Sequence, residues 1–277
     1  MLDKLVVEFV GQRELARKNH AAGAKRPYCT DPIINTYRFC NVRREDDKVT
    51  RWIKKHWRDP YQGHPNMAGA MLLARLINWP PTLAAIGFPE VWRPGDIIET
   101  IKKLPGKVWS SAYIVSTCGK SMPKVDYVVD KVDDMIGVLE YIPWLNCTLE
   151  SYHRKLCTID GLGAGFLAAQ VVVDLKYTDV NLLQADDWKT FAVSGPGSKR
   201  GLARVFGLPT DYSWKEYEWK EYLEVMIEAT APKLSFGMEL HAQDWQNVMC
   251  EFDKWCRVRN SEGRPRARYS PDACYTV

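Results

Sequence analysis

Residues 149–176, LESYHRKLCTIDGLGAGFLAAQVVVDLK, read as two helices joined by a tight turn. The first helix ends at Leu156, the turn is Ile159-Asp160-Gly161-Leu162-Gly163, and an apolar second helix follows through Ala168, Ala169, Val172 and Val173. Two glycines flanking one apolar residue let the backbone turn sharply and present successive N–H groups at a helix N-terminus, a setting that suits phosphate. An ordinary αα-turn closed by a glycine accounts for the same residues without a ligand. Both readings set helix against helix, so the class of the fold depends on whether strands occur elsewhere.

Outward from this segment the signals are helical. Residues 1–20 read as a helix with Leu5, Phe9, Leu15 and Ala16 among its apolar positions. Thr30-Asp31-Pro32 is a start signal, with Asp31 at the cap and Pro32 at the first helical position, for a helix opening over Ile33 to Tyr37. Val49, Trp52, Ile53 and Trp57 fall on one face of a helix reaching Arg58, and Asp59-Pro60 closes it. Asn66 to Asn78 reads as an amphipathic helix stopped by Trp79-Pro80-Pro81, and further helices are expected at Asp96 to Leu104 and Val125 to Leu139. Trp214 to Thr230 is expected to open on a capping box of Ser213 and Glu216, and Ala242 to Val258 to bury Trp245, Val248, Met249, Phe252 and Trp255. Residues 108–117, VWSSAYIVST, fit either helix or strand and are taken as helix because no partner strands are evident. About ten helices with almost no strand signal predict an all-α protein.

A chain of 277 residues that is 46% hydrophobic can build one large core or two modest ones. We expect a single helical catalytic domain over 1–256, in one or two lobes, and a basic tail over 257–277, where RVRNSEGRPRAR carries five arginines. The formal charge of +4 permits a nucleic-acid partner without requiring one. Eight cysteines show no CxxC pair and no zinc or iron–sulfur spacing, which implies reduced thiols and no metal ligand set. MLDKLVVEFVGQRELARK is interrupted by charge, so neither a signal peptide nor a membrane span is expected, and the cytoplasm is the expected compartment.

Two polar stretches stand out. Asn35–Arg58, NTYRFCNVRREDDKVTRWIKKHWR, sets Arg38, Asn41, Arg43 and Arg44 beside Glu45, Asp46 and Asp47, with Arg51, Lys54, Lys55 and Arg58 beyond. Guanidinium groups match phosphate oxygens two at a time, and Asp46 or Asp47 can take a proton. A helix with surface ion pairs is the plainer alternative. Ser194-Gly195-Pro196-Gly197-Ser198-Lys199-Arg200-Gly201-Leu202 offers flexible backbone, a hydroxyl and two cations at the start of a helix, the ingredients of a diphosphate cradle. The GxxxxGK[ST] spacing is missing from it, and a plain loop is its alternative.

The 149–176 segment resembles the helix-hairpin-helix motif of DNA glycosylases, in which Gly161, Leu162 and Gly163 would grip the DNA backbone without reading its sequence. Bifunctional members place a nucleophilic lysine where this chain has Gly165, so lyase chemistry is not expected. They also carry an aspartate further on, in a place matched by Asp186 or Asp187. YRFCNVRREDD with Thr50-Arg51, LCTIDGLG, GPGSKRGL and the MCEFDKW segment from Met249 to Trp255 together resemble the α-glutamyl/putrescinyl thymine pyrophosphorylase family of bacteriophages, the amino acid:DNA transferases, from Thr30 to Tyr269.

This resemblance implies a glycosylase-type helical fold and a DNA-modifying enzyme working in the cytoplasm of an infected bacterial host. Its substrate would be double-stranded DNA carrying 5-pyrophosphoryloxymethyluracil, flipped out of the duplex, and an amino acid or polyamine would replace the diphosphate at the exocyclic methylene carbon. Arg38, Arg43, Arg44, Ser198, Lys199 and Arg200 would stabilise the leaving diphosphate, and Asp46, Asp47 or Asp187 would deprotonate the amine. Asn41 would hold the uracil edge or the amine's carboxylate. No cofactor is required, although Mg²⁺ can accompany a diphosphate. Arg44→Ala is expected to abolish transfer while leaving the fold intact. A monofunctional base glycosylase and a non-catalytic helix-hairpin-helix DNA-binding protein are the rival readings; neither needs a diphosphate cradle.

Overall fold

The computed structural model describes residues 3–110, 115, 117, 119–139, 148–163, 165–178, 182–235, 237 and 239–265. Within them the chain is all-α, with no β-strand, as the periodicity predicts. It forms two compact units: one combines Met1–Asp47 with Lys189–Cys274, and the other is Lys48–Trp188.

The first unit is built on helices α1 (Asp3–Ala21), α2 (Pro32–Thr36), α10 (Pro196–Phe206), α11 (Glu216–Thr230) and α12 (Ala242–Arg259). The second contains α3 (Lys48–Ile53), α4 (Met67–Ile77), α5 (Pro80–Ile86), α6 (Pro94–Lys103), α7 (Lys124–Leu139), α8 (Leu149–Leu156) and α9 (Phe166–Leu175). After α3 the chain continues through one wider turn, the π-helical segment Lys54–Arg58.

In the first unit the stripe of Trp245, Val248, Met249, Phe252 and Trp255 on α12 is buried as expected. Phe9 of α1 packs against Phe39, Phe252 and Trp255, with ring centroids 5.7, 6.0 and 5.8 Å away. Asp31 links this core to the helix start seen in the sequence. One of its oxygens accepts the Ile33 and Ile34 N–H groups at 2.7 and 2.9 Å, and the other accepts Trp255 Nε1 at 2.8 Å. A single carboxylate therefore caps α2 and satisfies a buried indole.

Two expectations need correction, and one helix was not expected. Helix α4 is buried on every side rather than amphipathic, because α7 and α9 both pack on it. Trp79-Pro80-Pro81 does end α4, but Pro80 also opens α5, where a missing N–H costs nothing. Helix α11 starts at Glu216 with Lys215 as its cap and Glu218 reaching back, so Ser213 and Glu216 form no capping box. Glu216 instead accepts the Ser194 N–H at 2.8 Å and the Ser194 hydroxyl. Most of the 108–117 segment, and the tail beyond residue 265, lie outside the described residues. No described helix is long and apolar enough to cross a membrane.

Candidate functional site

Helix α12 organises the polar loop that follows α2. Asp244, Asn247, Glu251 and Lys254 recur three or four residues apart and so share one side of the helix. Each touches the loop. Asp244 Oδ1 accepts the Arg44 backbone N–H at 2.8 Å, Asn247 Nδ2 donates to the Asn41 carbonyl at 3.2 Å, and Glu251 Oε2 accepts the Cys40 N–H at 3.0 Å. Lys254 Nζ donates to the Arg38 carbonyl at 3.4 Å and lies 5.1 Å from the centre of the Phe39 ring. From α1, Arg13 donates to the carbonyls of Cys40 and Phe39 at 2.9 and 3.1 Å and to Asn41 Oδ1 at 2.8 Å. A loop without its own ladder has its backbone groups satisfied by side chains from two helices.

Within this frame Asn41 arranges its neighbours. Its backbone N–H donates to Asp47 Oδ1 at 2.9 Å, and its Nδ2 donates to the Asp46 carbonyl at 2.8 Å. Burial raises the Asp47 carboxyl to about 6, opposed by the Asn41 hydrogen bond and by the nearby Arg44 and Arg13 guanidiniums, while Glu251 adds to the rise. A carboxyl poised there can exchange a proton near neutrality. The Glu251 charge, with desolvation, pushes the Cys40 thiol well above its ordinary value, and burial lifts Cys250 to about 11, so neither is a thiolate nucleophile at pH 7.

The cations of this stretch divide into two kinds. Arg38 and Arg43 are exposed at the loop surface. Arg44 is buried and lies 3.8 Å from the buried Glu45. The expectation that Arg44→Ala spares the fold is therefore corrected: truncation would leave a buried carboxylate without that neighbour. Asp46 is bound into the loop through its carbonyl and lies 3.7 Å from Arg17, which also bonds Glu14.

The GPGSKRGL segment forms the start of α10, and its glycines have a packing role. A Cβ on Gly197 would stand 2.3 Å from Cys250 Sγ, and one on Gly201 would stand 2.0 Å from the Met249 carbonyl oxygen. The pair, four residues apart, lets α10 and α12 approach backbone to backbone. The fully buried Ser198 hydroxyl is taken by Gly195, accepting its N–H at 2.9 Å and donating to its carbonyl at 3.0 Å. Arg200 pairs with the fully buried Asp253 at 2.9 Å, as do Arg204 at 2.9 Å and Arg257 at 3.4 Å. Arg257 and Arg259 thus belong to the last turn of α12 rather than to a tail. Of the expected cradle, Lys199 alone keeps a side chain for which the structure shows no partner; its carbonyl accepts Trp214 Nε1 at 3.1 Å.

The remaining expected residues lie in the second unit. Asp187 accepts the N–H groups of Leu149 and Glu150, both at 2.8 Å, so its two oxygens hold the first turn of α8. The α8–α9 pair is present as expected, but its left-handed positions are Gly161 and Gly165, with φ of 84° and 80°, and Gly163 is not among them. The turn consumes amides that were expected to face a phosphate: Leu162 donates to the Ile159 carbonyl at 3.0 Å, and the Gly161 N–H bonds Asp160. Leu162 itself is buried.

Sequence reasoning missed Arg13, Asn247 and Glu251. The MCEFDKW segment was noticed, but nothing in it says that Glu251 faces the loop while Asp253, half a turn away, faces α10. Among the described residues no three His, Cys, Asp or Glu side chains converge as a metal site.

The family model described as 5-hmdU DNA kinase, helical domain, matches residues 2–264. The chain is also similar to the 5-hmdU DNA kinase of Bacillus phage SP10, 25% identical over 232 residues, which is 74% of this chain and 36% of that protein. It therefore spans about a third of the length of that relative. No solved structure matches. With most of its length covered by that model, the chain belongs to the 5-hmdU DNA kinase helical-domain family.

Proposed function

We propose that the chain modifies phage DNA at 5-hydroxymethyluracil-derived bases, as an amine transferase that displaces diphosphate from 5-pyrophosphoryloxymethyluracil. The observation that carries this reading is Asp47, a carboxyl raised to about 6 in a loop whose rim bears the exposed Arg38 and Arg43. Membership in a family described by its action on 5-hmdU DNA supports the substrate class. The reading also rests on the likeness of YRFCNVRREDD and MCEFDKW to amino acid:DNA transferases.

In the proposed step the neutral amine attacks the exocyclic methylene carbon. A C–N bond forms, the C–O bond to diphosphate breaks with its electron pair, and the amine's surplus proton passes to Asp47. Arg38, Arg43 and Lys199 offer charge to the departing diphosphate. Asn41 acts as a positioning residue, because its amide and its backbone are spent on Asp46, Asp47 and Arg13. Ser198, Arg200 and Asp187, engaged as described, serve the scaffold.

The relative's name favours a second reading, in which this domain presents 5-hydroxymethyluracil to a phosphotransferase. The chain contains no GxxxxGK[ST] segment, so that chemistry would need a phosphate-binding site of another kind. One experiment separates the two. Purified protein is incubated with pyrophosphorylated DNA and a panel of amines, and in parallel with 5-hydroxymethyluracil DNA and ATP, and both DNAs are digested to nucleosides for mass analysis. An amine adduct with released diphosphate supports transfer; a phosphorylated base from the second arm, with no adduct in the first, overturns it in favour of the kinase reading. Free base in the digest would indicate a glycosylase.

A further inference from the structure

From the helix that follows the polar loop, we infer a nucleic-acid strand site on α3 and its π-helical extension, with Arg51, Lys54 and Lys55 on the phosphates and His56 against a base. Lys48, Arg51, Lys54, Lys55 and His56 are all exposed, and no acidic residue occurs between Lys48 and Arg58. Several other exposed cations of this unit sit beside carboxylates, as Lys103 does beside Glu99 at 3.1 Å and Lys120 beside Asp160 at 2.7 Å. Arg51 and Lys55 instead stand four residues apart as like charges, an arrangement that costs an isolated helix stability and favours an anionic partner.

A second observation is independent of charge. The wider turn Lys54–Arg58 puts the His56 ring parallel to Trp52, centroids 4.6 Å apart at 24°, while Trp57 is buried beneath. Wider turns of this kind recur at functional sites. The outer face of the exposed imidazole is open to stacking, and the Trp52 indole backs it with its own Nε1 buried and unpartnered. Cations that track a backbone beside an aromatic platform are how single strands and splayed bases are held. A purely electrostatic partner would use the cations and leave the stacked pair idle, so a nucleic acid accounts for both.

This inference rests on DNA being the substrate of the proposed function, but not on transfer chemistry, so it is tested on unmodified DNA. Affinity of the triple variant R51A/K54A/K55A is measured over a range of salt concentrations, against K102A/K103A as a control for exposed charge on α6. The triple variant should bind more weakly, and the slope of log affinity against log salt should become shallower by about 2 to 3, as expected for three lost phosphate contacts. H56A should weaken binding to single-stranded DNA by roughly 5- to 100-fold, with little change in the salt slope. Circular dichroism checks that these exposed substitutions leave the helices intact. An unchanged slope in the triple variant, or an equal loss in the α6 control, overturns the inference. A protein that binds DNA through this face yet forms no adduct refutes the transfer reading alone.

Discussion

Alanine at Gly201 distinguishes a helix-contact glycine from a phosphate-cradle glycine. The added Cβ would meet the Met249 carbonyl oxygen at 2.0 Å and its carbon at 2.8 Å. Ordinary carbon contacts lie near 3.5 to 4.0 Å, so α10 and α12 would have to separate by more than about 1 Å along their shared interface. Overpacking of this sort costs about 1–3 kcal/mol, and a clash with main chain, which has no rotamer to change, belongs at the upper end. Helix propensity works the other way and favours alanine by about 1 kcal/mol. The net expectation is a loss of about 2 kcal/mol, or roughly 4–8 °C in Tm for a protein of this size. Urea unfolding followed by tryptophan fluorescence, with calorimetry beside it, reads the loss directly. Gly197→Ala supplies an internal control, since its Cβ would meet the Cys250 Sγ at 2.3 Å, a side-chain atom. Cys250→Ala should therefore rescue G197A with a coupling energy of about 1–2 kcal/mol and leave G201A uncorrected. If G201A unfolds at the same or higher urea than the parent, the contact reading fails and the cradle reading returns.

Other perturbations test the polar groups. Because burial raises the Asp47 carboxyl to about 6 in the fold, its protonated form is favoured there: its contribution to stability is full below about pH 4 and is lost as the pH rises through 6. Asp47→Asn should remove that contribution and be roughly 1–3 kcal/mol more stable than the parent at pH 7 but not at pH 4, whereas a parent-to-variant difference that does not change between pH 4 and 7 would contradict it. Under the proposed function the same variant loses transfer, while parent activity climbs through pH 6. Asp253→Ala, which strips three arginines of one buried carboxylate, should cost about 3–5 kcal/mol in urea unfolding, far more than removal of any single exposed partner. Asp187→Ala should cost about 1–3 kcal/mol by releasing two α8 amides, with transfer retained in whatever fraction stays folded; loss of transfer at full stability would return Asp187 to the site.

The all-α class was legible because apolar spacing and proline–aspartate starts are local signals; Asp31-Pro32 opens α2 where it was expected. The limits of α4 were equally legible, from Asn66 to the αL residue Asn78 that ends it. Its burial on all sides was not, because that depends on α7 and α9, brought to it from distant sequence. The same distinction explains the site. YRFCNVRREDD announces polar chemistry, but whether a given arginine faces solvent or a buried carboxylate is decided by helices α1 and α12, more than 20 and about 200 residues away in hydrogen bonds such as Arg13 to Asn41 and Asp244 to Arg44.

Glycine and arginine were the conspicuous residues in the GPGSKRGL segment, and Gly197, Gly201 and Arg200 turn out to be structural for one physical reason. A helix pair brought to backbone contact by Gly197 and Gly201 has no room for side chains between the axes, so polar groups flanking the contact are desolvated and must find partners at once. Asp253 is such a group, fully buried, and Arg200, Arg204 and Arg257 are its answer. Arg200, Gly197 and Gly201 of the apparent phosphate-binding loop, and Arg257 of the expected basic tail, are thereby accounted for by one helix crossing. The loop at Asn41 lacks that closure. Its backbone is anchored at Phe39–Asn41 and at Arg44 by Arg13, Asp244, Asn247 and Glu251, yet burial still raises the Asp47 carboxyl and Arg38 and Arg43 remain exposed. Anchoring holds such an unfavourable carboxyl in place, where a looser loop would let it turn to water and return to an ordinary carboxylate. The chemistry proposed at Asn41–Asp47 therefore centres on Asp47, and the glycine-rich helix start adds only the Lys199 side chain to it.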